Sequence, residues 1–401
     1  MKIKNLLPTM LITVATFTAQ GQTWTQSTSP STNWSGIASS ADGTKIVAVS
    51  WPGSSTPKGQ IYISTNSGTA WALASGTLSP QFWSSIASSA DGTKLVATTY
   101  NTGQIYISTN SGASWQLTSA PNKIWGCVAS STDGSILAAG VDSSGGGIYI
   151  STNSGATWGL SSAPTNDCLA VAMSARGTIQ IAGFIDARTV FISTNFGQTW
   201  VSNSLPALGW RCAAMSADGN KILVASSFIG GAVYISTNTG AAWQKAGLPE
   251  NDYTSIACSA DGVRQVVVVK SAPKVGDIYT STNSGGSWVS NSVPFSGWYA
   301  VCSSADGGRL FAGSIQSTPT PTLPIYNFQA TLPPVLQSIR SSSNIVLSWL
   351  IPSTNYVLQQ SSNLANWSVV TNVPALNLTN LQNQVTLLRS AASSFYRLKT
   401  P

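Results

Sequence analysis

The sequence predicts an all-β chain: a seven-bladed β-propeller closed by its own N-terminal strand, followed by a small C-terminal β-sandwich. Three observations carry this expectation. The eight-residue box Ser-Thr-Asn-x-Gly-x-x-Trp occurs six times between Ser64 and Trp288, at intervals of 42 to 45 residues, and self-similarity at that period marks a propeller, solenoid or array. A turn of the form Ala-Asp-Gly, with variants at Asp133 and Arg176, recurs seven times, at Asp42, Asp91, Asp133, Arg176, Asp218, Asp261 and Asp306. The chain is rich in Gly, Ser, Thr and Asn and only 8% charged, which suits short strands and tight turns and leaves long helices short of good helix formers.

One repeat shows how the elements arise. Residues 85–88, 94–98, 104–108 and 114–118 read as four strands, because β-branched and aromatic residues fill them while Asp-Gly or Asn-x-Gly marks the turns. Four antiparallel strands in about 43 residues make one blade. Two further counts agree with the seven turns: the terminal tryptophans Trp24, Trp71, Trp115, Trp158, Trp200, Trp243 and Trp288, and the prolines after each fourth strand, Pro30, Pro80, Pro121, Pro164, Pro206, Pro249 and Pro294.

The last unit, from Trp298, has a first strand, a turn at Asp306-Gly307, a second strand at 309–313 and a third at 324–328, but no box and no terminal Trp. Residues 22–25, containing Trp24, match the missing fourth strand, so the N-terminus is expected to complete this blade and remove the open edges.

Ahead of that strand, Lys2 and Lys4, an apolar stretch over 6–17 and a small-residue site at 19–21 read as a secretory leader spanning residues 1–21. The stretch is too short to span a bilayer, and the rest of the chain contains no candidate span, so the mature chain is expected to be secreted or at the cell surface. The propeller is assigned to residues 22–331. Beyond Pro333 and Pro334 the boxes stop, and 345–349, 356–360, 367–370, 384–388 and 395–398 read as strands of a small sandwich over 332–401.

These boxes resemble the Asp-box (BNR) repeats of the sialidase-like and xyloglucanase-like propeller superfamily, whose pattern is Ser-x-Asp-x-Gly-x-x-Trp, and the C-terminal segment is similar to the fibronectin-like modules of secreted bacterial proteins. All six boxes depart from the family by carrying Asn in place of Asp, at Asn66, Asn110, Asn153, Asn195, Asn238 and Asn283. The Asn side chain still bonds the backbone of its own turn, so the box is read as structural. The resemblance implies that the Asp-Gly turns and boxes share one face of the disc, while the loops at 50–59, 99–103, 140–147, 184–189, 226–231, 270–277 and 314–324 share the other, where ligands bind.

Composition excludes several functions. The chain contains no His, which removes a Ser/His triad and a Cys/His zinc site, and neither a cofactor nor a metal is expected. The net charge of +7, or +5 without Lys2 and Lys4, forms no basic cluster and gives no nucleic-acid footprint. Five cysteines cannot pair completely and are read as buried small hydrophobes, with a bridge between adjacent repeats as the alternative. A sialidase, as the resemblance implies it, uses three arginines and an Arg-Ile-Pro motif; no arginine precedes Arg176 and no such motif is present.

Two sets of site candidates remain. Each first strand opens with a bulky residue, and six of the seven are aromatic: Trp34, Trp83, Trp125, Trp210, Tyr253 and Trp298, with Cys168 the exception. They read either as wedges between blades or as a ring at the channel mouth that stacks on sugars or grips a peptide. The acids outside the turns are Asp142, Asp167, Asp186, Glu250, Asp252 and Asp277. Asp167, Glu250 and Asp252 are the catalytic candidates, since glycosidases need two carboxylates roughly 5–9.5 Å apart. Together these features point to a secreted, monomeric, non-catalytic binding or scaffolding propeller for a glycan or an extracellular protein. The alternative is a glycoside hydrolase acting on extracellular polysaccharide.

Overall fold

The computed structural model describes residues 23–52, 59–75, 81–101, 103–143, 145–227, 230–270, 278–291, 293, 297–315, 324–330, 334–341, 343–351, 356–388 and 394–399. Residues 1–21, where a secretory leader is expected, and Asp277, Pro80 and Pro294 lie outside the described residues. Among the described residues the chain is all-β, with its strands in nine antiparallel sheets.

Seven of these sheets have four strands each and occupy residues 25–329. In the second, Trp83–Ser88, Leu95–Thr99, Ile105–Ser108 and Gln116–Leu117 follow one another as a meander. The fourth strand is shorter than the pattern predicts because Ser114 and Trp115 belong to the box turn. In the seventh sheet, Thr25–Gln26 supplies the outer strand, pairing Thr25 with Asn327 and Gln26 with Tyr326. The first strands touch in sequence, and Trp298–Ser303 returns to Asn33–Ser39, so the sheets close into a ring.

Packing between sheets explains the repeated aromatics. Each opening tryptophan meets a tyrosine of its own third strand edge-on, as in Trp83 with Tyr106, Trp125 with Tyr149 and Trp298 with Tyr326, all at 5.4 Å between ring centroids. Trp83, Tyr106 and Trp115 then fill the seam against Val47, Val49 and Ile61 of the preceding sheet. Where the opening residue is the small Cys168, its cross-strand partner Phe184 supplies the ring instead and meets Phe191 at 5.6 Å.

The hydrogen bonds of the boxes show what Asn does in these turns. In the second box Ser108 Oγ accepts from the Gly112 amide at 2.9 Å and donates to Asn110 Oδ1, which also accepts from the Ser114 amide at 2.9 Å. The Asn110 amide nitrogen, which an Asp lacks, donates to Ser114 Oγ at 2.8 Å. The same extra bond reaches Thr157, Thr199 and Ser287 in other boxes. Ser111 (φ 57°) and Gly112 (φ 84°) make the left-handed bend of the turn.

At the Asp-Gly turns, burial raises the Asp42 carboxyl. The Ser40 hydroxyl, the Thr44 amide and hydroxyl, and nearby Arg309 outweigh it, leaving the group below its ordinary value. Arg309 also crosses the seam to donate to the Asp42 carbonyl at 2.8 Å. The five cysteines are free thiols, with no bridge between adjacent repeats, and Cys127 Sγ lies 3.5 Å from the Cys168 carbonyl across one seam.

The remaining strands form a four-stranded sheet, in the order Gln337–Arg340, Asn344–Leu350, Gln382–Leu388 and Ala375–Asn377, and a three-stranded one from Ser368–Val369, Val357–Ser361 and Phe395–Lys399. Leu347, Trp349, Leu358 and Val385 form a core of their own. Gln337–Arg340 and Ala375–Asn377 carry no strong strand pattern, and their mostly exposed residues explain why.

Candidate binding site at the channel mouth

The inner strands enclose a cavity of about 470 Å³ along the axis of the ring. Two repeat positions build its rim. The first is a β-bulge: in all seven sheets the register slips one residue after the opening bulky residue, between Trp34 and Gly36, Trp83 and Ser85, Trp125 and Cys127, Cys168 and Ala170, Trp210 and Cys212, Tyr253 and Ser255, and Trp298 and Ala300. A bulge re-aims a side chain. The unpaired residue lines the cavity each time: Ser35, Ser84, Gly126, Leu169, Arg211, Thr254 and Tyr299.

The second position follows the second strand, where the amide of Tyr100 donates to the Phe82 carbonyl at 2.8 Å and that of Asp142 to Ile124 at 2.7 Å. Equivalent bonds fix Ile185, Ser227, Lys270 and Ile315. Trp51, the last residue of its own second strand, completes this row. The backbone is thus constant while the side chains differ, and the differences concentrate polar and aromatic groups around one opening.

Those groups interact. Arg211 donates to the Tyr299 hydroxyl at 2.6 Å, and its guanidinium carbon stands 5.2 Å from the Tyr299 ring centre, with Lys270 Nζ at 5.9 Å. Trp51 meets Tyr100 edge-on at 5.6 Å and Phe82 at 5.9 Å. Tyr100 shares a hydrogen bond with the Asp142 carboxyl, and the Asp142 charge, followed by burial, raises the Tyr100 phenol. Burial, then the charge on Asp167, raises Asp142, with Arg211 and Tyr100 pulling the other way. One half-buried carboxylate, one guanidinium, two phenols and an indole therefore share a cavity whose wall carries Ser35, Ser84, Ser85, Thr254 and Ser255.

The sequence-predicted candidates fall elsewhere. Trp34, Trp83, Trp125, Trp210, Tyr253 and Trp298 are 0–1% exposed and sit in the seams, so of the two readings they are wedges between sheets and not a ring at the mouth, set back from the channel by the bulge that follows them. Glu250 is on the exposed surface in an ion pair with Lys245 at 2.9 Å. Asp252 lies in the rim segment, its carbonyl accepting from the Lys270 amide at 3.1 Å. Asp167 holds an equivalent place, with its own amide donating to Asp186 Oδ1 at 3.1 Å; burial and then the Asp186 charge raise its carboxyl. Neither Glu250 nor Asp252 is part of the cavity wall among the described residues. The predicted variable loops, in contrast, do carry or adjoin the rim at Trp51, Tyr100, Asp142 and Lys270.

No family model matches the chain, and no curated protein matches it. Solved structures do. A YCF48 bound to a D1 peptide superimposes with a TM-score of 0.56 at 14% identity, covering 79% of this chain and 99% of that one. YCF48 from Cyanidioschyzon merolae gives 0.55 at 14% identity, over 76% and 98% of the two chains. The GH74 xyloglucanase from Xanthomonas campestris gives 0.58 at 15% identity over 82% of this chain, which spans 59% of the enzyme. These are likenesses of fold, and together with the repeated four-stranded sheets they define the chain as a β-propeller. Among the described residues no helix is long and apolar enough to cross a membrane.

Proposed function

We propose that this chain is an exported, non-catalytic binding propeller of seven Asp-box-type blades, residues 22–331, with a sandwich module over 332–401, and that it takes a glycan at the loop-face mouth. The observation that carries this reading is the convergence of Asp142, Arg211, Trp51, Tyr100 and Tyr299 on one cavity. A carboxylate and a guanidinium satisfy hydroxyl groups as acceptor and donor, aromatic rings cover the apolar faces of a sugar, and serine and threonine hydroxyls complete the wall. The buried ring of six aromatics plays no part; the rim residues replace it as the ligand contacts.

A second reading, recognition of a peptide, is favoured by the fold likeness to a YCF48 bound to a D1 peptide. The hydrolase alternative rests on Asp142 and Asp167, whose carboxyls are both raised, and on the likeness to the GH74 enzyme. Parallel glycan and peptide arrays, with reducing-sugar release followed on the same polysaccharides, separate the three. Glycan binding that Arg211→Ala abolishes, without sugar release, supports the proposal. Binding confined to peptides supports the second reading, and sugar release lost in Asp142→Asn establishes the hydrolase.

A further inference from the structure

The opposite end of the channel is built from seven equivalent backbone positions. The amide of Ala41 donates to the Ala90 carbonyl, Ala90 to Thr132, Thr132 to Ala175, Ala175 to Ala217, Ala217 to Ala260, Ala260 to Ala305 and Ala305 back to Ala41, each at 2.7–2.8 Å. This circle of hydrogen bonds draws the seven inner strands into a narrow collar lined almost entirely by methyl groups.

The turn at 378–381, which joins Ala375–Asn377 to Gln382–Leu388 in the C-terminal module, lies across this collar. Leu381 is 9% exposed and packs with Ala41 and Ala305, with Ala90, Ala260 and Ile351 against the same cluster. On the other arc Thr132 Oγ1 donates to the Leu378 carbonyl at 2.9 Å and Arg176 Nε to Thr379 Oγ1 at 2.8 Å. Contacts to Ala41, Ala90, Thr132, Arg176, Ala260 and Ala305 come from six of the seven sheets, so the module spans the collar and does not lean on one side of it.

The backbone supports the same conclusion independently. Leu381 has φ 55°, a left-handed conformation that Gly or Asn adopts readily and Leu adopts at a cost. A turn needed only to reverse the chain gains nothing from leucine there; a turn that seats an apolar side chain in a methyl-lined collar does.

We propose that the 378–381 turn is a stopper. The C-terminal module is docked on the turn face through Leu381, Leu378 and Thr379, and seals the channel so that the cavity is entered only from the Trp51–Tyr299 mouth. The docked surface is independent of what the mouth binds. Its consequence for any ligand is that a chain end or a protruding group enters, and nothing threads through.

Thiol labelling of the full chain tests this. Leu381→Cys is compared with Leu378→Cys, whose side chain is 45% exposed, using a hydrophilic maleimide at neutral pH. The native thiols give a slow background, since Cys127 and Cys168 are buried and burial pushes Cys212, Cys258 and Cys302 up to about 12. The expected result is labelling at 381 slower than at 378 by about ten-fold or more, with Thr132→Val/Arg176→Ala closing the gap by loosening the docked state. Equal rates in the otherwise native chain overturn the proposal. Leu381→Asn provides a check with opposite signs: it relieves the left-handed backbone and deletes the stopper together. A lower Tm supports docking, and a raised or unchanged Tm contradicts it.

Discussion

The two faces of this disc use the same repeat in opposite ways. On the turn face the recurring polar groups are spent on the scaffold: Ser131 bonds Asp133, Asp133 bonds the Ser135 amide, and Lys94 and Lys45 reach across seams to Ser154 and to the Asp91 carbonyl. On the loop face the backbone is equally regular, yet the side chains at the bulge and after the second strand change from blade to blade. Repetition therefore marks what the fold needs, and departure from it marks where a ligand can be recognised.

The sharpest way to break this comparison is to exchange the roles of the two aromatic sets. Trp125→Ala removes a buried indole that packs on Tyr149 and donates to the Gly103 carbonyl at 2.9 Å, and is expected to cost about 3–5 kcal/mol of stability in chemical denaturation. Tyr299→Ala, at the mouth, is expected to change stability by less than about 1 kcal/mol while weakening ligand binding about ten-fold or more. A stable Trp125→Ala protein that no longer binds would restore the buried ring as the recognition surface.

Next in size are the box contacts. Ser108→Ala leaves the Gly112 amide without its acceptor in a buried turn and is expected to cost about 1–3 kcal/mol. Asn110→Asp keeps the acceptor for the Ser114 amide but loses the donor to Ser114 Oγ, with an expected cost of about 1 kcal/mol, measured in the same denaturation series.

Acidity separates the faces by sign. In Asp42, Asp91, Asp133 and Asp218 burial is outweighed by hydrogen bonds, so their carboxyls lie below the ordinary 3.8. The stability they contribute is complete above that value and is lost only as pH falls through their lower folded values. Asp142 is shifted the other way, so it takes up its proton at a higher pH than the turn carboxyls. Ligand affinity is therefore expected to fall in mild acid while circular dichroism still reports a folded chain, and Asp142→Asn is expected to remove most of that pH dependence without lowering Tm.

Much of the architecture was legible because it repeats. The inner three strands, the turns and an N-terminal strand that completes the sheet of Trp298 follow from period and turn chemistry. The outer strands begin only after the terminal tryptophan, at Thr25–Gln26 and Gln116–Leu117 in place of 22–25 and 114–118, because that tryptophan closes the turn. The site was legible only in part. The variable loops locate Trp51, Tyr100, Asp142 and Lys270 near the mouth, but Arg211 and Tyr299 stand inside strands, next to residues whose repetition drew attention to themselves. A bulge is invisible to a period-2 reading, since it turns one residue toward the channel and its aromatic neighbour into the seam. The signal that finds them is the series Ser35, Ser84, Gly126, Leu169, Arg211, Thr254 and Tyr299, which varies more than any other position of the first strand. The reach of the C-terminal turn into the alanine collar had no sequence signal, because alanine before Asp-Gly reads simply as turn.

The most direct test of the claim that recognition lies where the repeat breaks is one binding isotherm, taken with the best ligand from the array screen, on three proteins: the native chain, the loop-face variant Arg211→Ala and the turn-face variant Lys94→Met. The account predicts that Arg211→Ala loses binding while Lys94→Met keeps the native affinity. Native affinity in Arg211→Ala together with loss in Lys94→Met would place recognition on the repeated face and contradict it.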